Sequence, residues 1–345
     1  MKILNIIFIV AIFCGNILAS REIIDQTGRK IILPNNVERI VVLQHQSLNL
    51  LNEINALSKV VGIQKSWQNR LGSNYTKLAP NLPNLPIVGD LNSINLEATL
   101  ALKPDVVIVA NYMPKEYINK LENAGVPVVA MSFFSVSSDE KYKQHPNLKD
   151  AFNAYDDGFY EAVRILGTVA NRETEAQELI DYVKKAQAEI KKELAFLAEK
   201  KQLKTVYVAV PFFETYGSGK YPEVLFRRAG AVNVAASTIK GYAKVSPEQI
   251  LKWNPEVIFA QNRYPQAIDE IKNTSALSSL QALKSGQIYL MPEYAKAWGH
   301  PSASDMALGE LWVAKTLYKD ELAHIDLDAK VQEFYHKFYR TSYQK

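Results

Sequence analysis

The chain has 345 residues, of which 48% are hydrophobic and 22% charged, with a formal net charge of +4. That surplus is mild for the length and its lysines are spread along helical stretches with glutamates nearby, which excludes a nucleic-acid stripe. The single cysteine is Cys14, inside a leader-like segment, so the remainder has no disulfide, thiolate metal site or cysteine nucleophile.

The first residues predict export. Lys2 gives a positive start, Ile3 to Phe13 are apolar, and the small residues Ala19 and Ser20 precede Arg21 and Glu22, the pattern of a signal peptide over residues 1–20 cleaved near Ala19 or Ser20. The apolar run is broken at Gly15-Asn16 and is shorter than the roughly 20 residues of a membrane anchor. Lipoprotein processing ahead of Cys14 is disfavoured by the bulk of Phe13. A soluble, monomeric, periplasmic product is expected, long enough for two lobes rather than one core.

An N-terminal lobe over 21–165 opens with the strand ERIVVLQHQ and a helix, SLNLLNEINALSKVVGI, that closes at Gly62. The run NLEATLALKPDVVIVAN, from Asn95 to Asn111, then gives a short helix, a Pro-acidic turn and a buried strand over Val106 to Ala110. A connecting segment over 166–202 follows. Its apolar residues Ala176, Leu179, Ile180, Val183, Ala186, Ile190, Leu194 and Leu197 keep the spacing of one buried helical stripe. No Gly or Pro interrupts Glu173 to Lys200, so one rod of about 42 Å is expected; the apolar spacing is not the sustained heptad of a coiled-coil arm.

The C-terminal lobe over 203–345 repeats the order, with the strand KTVYVAVPFF and the helix of YPEVLFRRAGAVNVAA stopping at Gly230. VSPEQILKWNPEVIFAQN, Val245 to Asn262, then returns the earlier run. Glu97 matches Glu248, Leu100 matches Leu251, Pro104 matches Pro255, Asp105 matches Glu256 and Asn111 matches Asn262, every pair 151 positions apart. The third units, LENAGVPVVAMSFF and LKSGQIYLMPEY, complete the parallel. The expected fold is α/β: two Rossmann-like lobes with mainly parallel sheets, joined by a single long helix, with a cleft between them.

Ligands of open parallel sheets meet the carboxyl ends of strands. The residues there are Gln44, His45 and Gln46; Asn111 and Tyr112; Phe133 and Phe134; Phe212, Phe213, Glu214 and Tyr216; Asn262, Arg263 and Tyr264; and Glu293, Tyr294, Trp298 and His300. From these, His45, Tyr112, Tyr216, Arg263, Tyr264, Trp298 and His300 are taken as ligand-binding candidates. The aromatic rings suit a flat, partly polar ligand, and Arg263 supplies a rigid donor fork for carboxylate, catecholate or oxyanion groups. His45 and His300 are the candidate metal ligands. His145, in KYKQHPNLK, is read as an ordinary surface residue, and GSGK at 217–220 as a weak phosphate signal without P-loop spacing. No catalytic motif is present and the chain is read as a non-enzyme, an exported two-lobed α/β enzyme being the alternative class. Asn111 and Asn262 are expected to mark facing cleft edges. Glu97 and Glu248 stand in the first turns of the repeated helices, where they complement the helix dipole and form two symmetric acidic knobs for a symmetric partner.

RIVVL, the repeated pair, the bridging ANRETEAQELIDYV and the closing WGHPSASDMALGELWVAKTLY run nearly end to end, and together they resemble the periplasmic substrate-binding proteins of the ABC importers for iron siderophores, haem and cobalamin. The resemblance implies two lobes on one rigid helix, a shallow cleft, no intrinsic cofactor, and delivery of cargo to an ABC permease dimer. Glu97 and Glu248 occupy the positions that engage permease arginines in that family. The expected cargo is a metal chelate, an iron-siderophore or other iron complex first, with haem, cobalamin, a nickel chelate or molybdate/tungstate as alternatives.

Overall fold

The computed structural model describes residues 20–199 and 202–344. The expected signal peptide, Cys14 included, lies outside the described residues except for Ser20. No helix among the described residues is long and apolar enough to cross a membrane.

A hairpin of β1 (Ser20–Ile24) and β2 (Lys30–Pro34) leads into a six-stranded sheet. Its strands are β3 (Ile40–Val42), β4 (Val60–Gln64), β5 (Ile87–Asp90), β6 (Ser93–Ile94), β7 (Val106–Ala110) and β8 (Val128–Met131), in the order β6-β5-β4-β3-β7-β8 and parallel except for β5 with β6. The second sheet comprises β9 (Lys204–Ala209), β11 (Ala231–Asn233), β13 (Val257–Ala260) and β14 (Ile288–Leu290), ordered β11-β9-β13-β14 and all parallel. A small antiparallel pair, β10 (Glu214–Tyr216) with β12 (Tyr242–Lys244), stands beside it. The second sheet has the same order as the four strands at one end of the first, β4-β3-β7-β8. The mixed α/β class with mainly parallel sheets and a long helix is therefore observed. Strand β7 is buried at every position, as its unbroken Val-Val-Ile-Val run requires of a strand covered on both faces.

The helices that position the cleft are α1 (His45–Glu53), α2 (Trp67–Leu71), α3 (Leu96–Ala101), α4 (Lys115–Asn123), α5 (Ala151–Ala170), α6 (Glu173–Glu193), α7 (Tyr221–Arg228) and α8 (Pro247–Trp253). Two sequence expectations need correction. The first helix ends at Glu53, and Val60–Gln64 with Gly62 is a strand. A Cβ at Gly62 would come within 2.6 Å of Leu102 Cδ1, so this glycine serves sheet packing rather than a helix stop. The connector is also shorter than expected. The 166–202 segment contains the end of α5, a left-handed turn at Asn171 (φ 54°), α6, and a 3-10 turn over Ala195–Glu199. Helix α6 has 21 residues, about 32 Å. Beyond it the local preference of Ala195 to Glu199 gives way to tertiary contacts: Phe196 packs edge-on against Tyr318 and Leu197 lies against Gly230.

The sequence repeat corresponds to a repeated construction. Asn95 Oδ1 accepts from the Ala98 amide at 3.0 Å, and Ser246 Oγ accepts from the Gln249 amide at 3.2 Å, so each copy begins with an N-cap. Each helix ends in left-handed backbone, at Lys103 (φ 47°) and Asn254 (φ 44°). Asp105 then accepts from the Arg39 amide at 2.8 Å, and Glu256 from the Thr205 amide at 2.8 Å. The acidic residue of each copy thus pins the start of the neighbouring strand, β3 or β9.

Candidate functional site

The carboxyl ends of both sheets face one cleft, and all seven ligand-binding candidates line the same cavity, of about 170 Å³. His45 opens α1 and is 6% exposed, its ring edge-on to Trp298 at 5.3 Å. No side chain caps α1, and His45 Nδ1 and Gln46 Oε1 are buried without a partner. Buried polar atoms are rarely left unpaired, and both of these belong to residues that line the cavity. Burial, then the charges of Arg263 and Arg70, push the His45 imidazole well below its usual range; burial, then Lys220 and His145, do the same for His300. Both rings are neutral near pH 7. Burial pushes the Tyr112 phenol up to about 12 and raises that of Tyr216.

The second lobe holds its side chains through the backbone. Ala297 has a φ of 44°, a conformation that a residue with a Cβ rarely adopts. Asp305 Oδ1 accepts the Ala297 amide at 2.9 Å, and the Ala297 carbonyl accepts from Gln261 Nε2. This turn presents Trp298, 2% exposed, to His45. Gln261 Oε1 also accepts from Arg263 Nε at 2.8 Å, while Arg263 Nη1 reaches the Arg70 carbonyl on the opposite lobe at 3.2 Å. The guanidinium lies 4.9 Å from the centre of the Tyr264 ring and 5.8 Å from that of Trp298, within cation–π range.

Sequence reasoning missed Arg70, Gln144, His145, Lys220 and Tyr242, which line the cavity as well. Arg70 comes from the last turn of α2, and Gln144 and His145 from the loop after β8. The loop is held by Asn111, whose Nδ2 donates to the carbonyls of Lys141 at 2.7 Å and Lys143 at 3.0 Å. Asn111 is thus a buried loop clamp instead of a cleft edge, whereas Asn262 lines an outer recess of about 800 Å³ that shares Arg70, Arg263 and Tyr264 with the inner chamber. His145 stacks on Tyr242, so its loop bridges the lobes. Lys220, in the GSGK run, is the residue for which the sequence held a signal. Other strand-end residues lie elsewhere: Phe133 and Phe134 are core, Phe212 is 72% exposed, and Tyr294 packs on Tyr343.

The charges in the chamber have one sign. Arg70, Lys220 and Arg263 line it and no carboxylate does. Among the described residues no group of three or more His, Cys, Asp or Glu is arranged to hold a metal ion. His45, His145 and His300 share the chamber, but no carboxylate joins them there. Such an arrangement can hold an anion by charge and by N–H and O–H donors.

Glu97 and Glu248 are both exposed on the first turns of α3 and α8. Their repeat neighbours Leu100 and Leu251 are each 36% exposed, so each knob pairs a carboxylate with an apolar side chain.

The profile of the family described as periplasmic binding protein matches residues 40–295. The chain belongs to the periplasmic binding protein family. This periplasmic binding protein is 44% identical over 327 residues to the molybdate-binding protein MolA of Haemophilus influenzae, covering 95% of this chain and 93% of MolA. The structure of that protein bound to molybdate, where it is described as cognate to an ABC transporter, superposes with a TM-score of 0.90 at 44% identity, over 94% of this chain and 99% of that one. The Fe(3+)-citrate-binding protein YfmC of Bacillus subtilis is 24% identical, over 78% of each chain. A periplasmic solute-binding protein from Veillonella parvula has a TM-score of 0.77 at 22% identity, covering 94% of each chain, a likeness of fold alone. These relatives are solute-binding proteins, and the chain is a binding protein and not an enzyme.

Proposed function

We propose that this chain is the periplasmic, monomeric substrate-binding component of an ABC importer. Its lobes, 21–165 and 203–345, capture a small oxyanion of the molybdate and tungstate class and present it to a permease dimer through Glu97 and Glu248. The observation that carries the reading is the inner chamber: about 170 Å³, with Arg70, Lys220 and Arg263 on its wall and no carboxylate. Drug-sized ligands occupy pockets of about 300–1,000 Å³, so the chamber favours a compact anion over haem or cobalamin. The molybdate bound by the 44% identical MolA supports the same choice. The cargo reading therefore moves from an iron chelate to the oxyanion. In it, His45 and His300 act as neutral hydrogen-bonding groups toward the anion, and the unpaired His45 Nδ1 has a partner only when cargo is present.

A second reading rests on the outer recess of about 800 Å³. An anionic metal chelate anchored at Arg263 would extend its organic part there, over Asn262 and Gln266. Titration of the purified protein with molybdate, tungstate, sulfate, phosphate, ferric citrate, nickel-histidine, haem and cobalamin, followed by tryptophan fluorescence and calorimetry, separates the two. Tight binding of molybdate and tungstate is expected. Binding of ferric citrate with no response to molybdate would establish the second reading.

A further inference from the structure

Lys220 is the most deeply buried charge in the chamber. It is 1% exposed, and its Nζ donates at 3.0 Å to the Gln144 carbonyl, which belongs to the loop of the opposite lobe. One carbonyl satisfies one of three N–H donors and supplies no counter-charge. Among the described residues no carboxylate pairs with Lys220, and burial alone pushes its ammonium down to about 8. Two imidazoles border the same space, His145 and His300, and the Lys220 charge lowers the proton affinity of both. A protein seldom keeps an ammonium buried and unpaired, because the desolvation is uncompensated. Arg70 and Arg263 differ: they are partly exposed and water screens them.

We infer that Lys220 supplies the counter-charge that makes the inner chamber select a doubly charged tetrahedral anion over a singly charged anion of the same shape. The inference rests on the oxyanion reading above. A dianion brings one charge for Lys220 and one for the guanidinium at Arg263. A monoanion brings only one charge to a chamber that also holds Arg70, and so leaves it further from neutrality. Since shape and hydrogen-bonding oxygens are shared, the discrimination is Coulombic and acts where the dielectric is lowest. The Gln144 carbonyl orients the ammonium without quenching it, so the charge remains available to cargo.

Tungstate and perrhenate are the probes, being tetrahedral ions of nearly equal size with two charges and one. The protein is expected to bind tungstate at least about 100-fold more tightly than perrhenate. In Lys220→Met and Lys220→Gln, tungstate affinity falls by about 100-fold while perrhenate changes far less, so the ratio collapses; Lys220→Arg keeps it. Without anion, Lys220→Met is expected to melt no lower than the parent, because the charge removed is uncompensated. If the parent binds tungstate and the ratio survives in both neutral variants, or if Lys220→Met melts well below the parent without anion, Lys220 is not the selecting charge and the oxyanion reading stands. If the parent binds neither tungstate nor molybdate, the oxyanion reading itself is overturned.

Discussion

Arg263 donates from Nη1 to the main-chain carbonyl of Arg70 at 3.2 Å, joining residues 193 positions apart in the chain. The same guanidinium is fixed from behind by Gln261 Oε1 and packs against the Tyr264 and Trp298 rings. One side chain therefore closes the lobes against each other and offers its remaining N–H groups to the chamber. Helix α2 and the loop after β13 meet at this contact.

Replacing Arg263 by alanine is expected to weaken an anionic cargo by about 1.5–3 kcal/mol, the range for a hydrogen bond to a charged group. Lysine at the same position restores the charge but cannot reach Gln261, Arg70 and cargo together, so it recovers only part of the loss. Calorimetric titration of both variants with molybdate measures this. Unchanged affinity in Arg263→Ala would remove the residue from the site.

Charge reversal of both Glu97 and Glu248 to lysine is expected to abolish uptake in cells while leaving cargo affinity intact, since both side chains are exposed and outside the chamber. Polar replacement of Leu100 and Leu251 should reduce uptake less, because it removes apolar contact without creating like-charge repulsion. A large loss of affinity in the double reversal would contradict the docking role.

Alkaline pH should move stability and affinity in opposite directions. Lys220 titrates at about 8 in the folded chain, against 10.5 as its ordinary value. Between those values the unfolded chain binds more protons, so stability rises with pH across that window. Anion affinity falls over the same range as the ammonium is lost. His145 and His300, which face Lys220, are already neutral there, and no carboxylate lines the chamber. Melting curves and titrations between about pH 7 and pH 10 should show both trends in the parent and neither in Lys220→Met.

Behind the cleft, Arg228 bridges Asp156 at 2.6 Å and Glu310 at 3.3 Å, and Glu310 is 1% exposed. Burial pushes the Glu310 carboxyl up to about 7. Removing the guanidinium in Arg228→Ala leaves that carboxylate without its counter-charge and is expected to cost about 3–5 kcal/mol of stability. The double variant Arg228→Met, Glu310→Gln should recover most of it. Chemical denaturation reads the loss, and cargo affinity is expected to stay near that of the parent.

The duplicated run shows how far sequence alone reaches. Its helix, its Pro-acidic turn and its buried strand are local features, set by an N-cap at Asn95 or Ser246, a proline at 104 or 255, and a β-branched run too short for a helix. Their reappearance at one offset was enough to give two α/β lobes, and strand-end positions then gave seven side chains that meet in one cavity. Local pattern failed where tertiary contact overrides it. Gly62 reads as a helix stop but lies in a strand, because Leu102 leaves no room for a side chain, and the helix from Glu173 ends at Glu193 where Phe196 and Leu197 find partners on the other lobe. The charge of the site was likewise beyond local reading. Arg70 and His145 sit in unremarkable surface-like sequence and Lys220 in a run with only a weak phosphate signal, and only the approach of the loop after β8 to the start of α7 buries the Lys220 ammonium against the Gln144 carbonyl. Sequence determined that this protein has two facing lobes; the folded chain decided that the space between them is positive, because burial and the absence of a neighbouring carboxylate are properties of position in space and not of residue type.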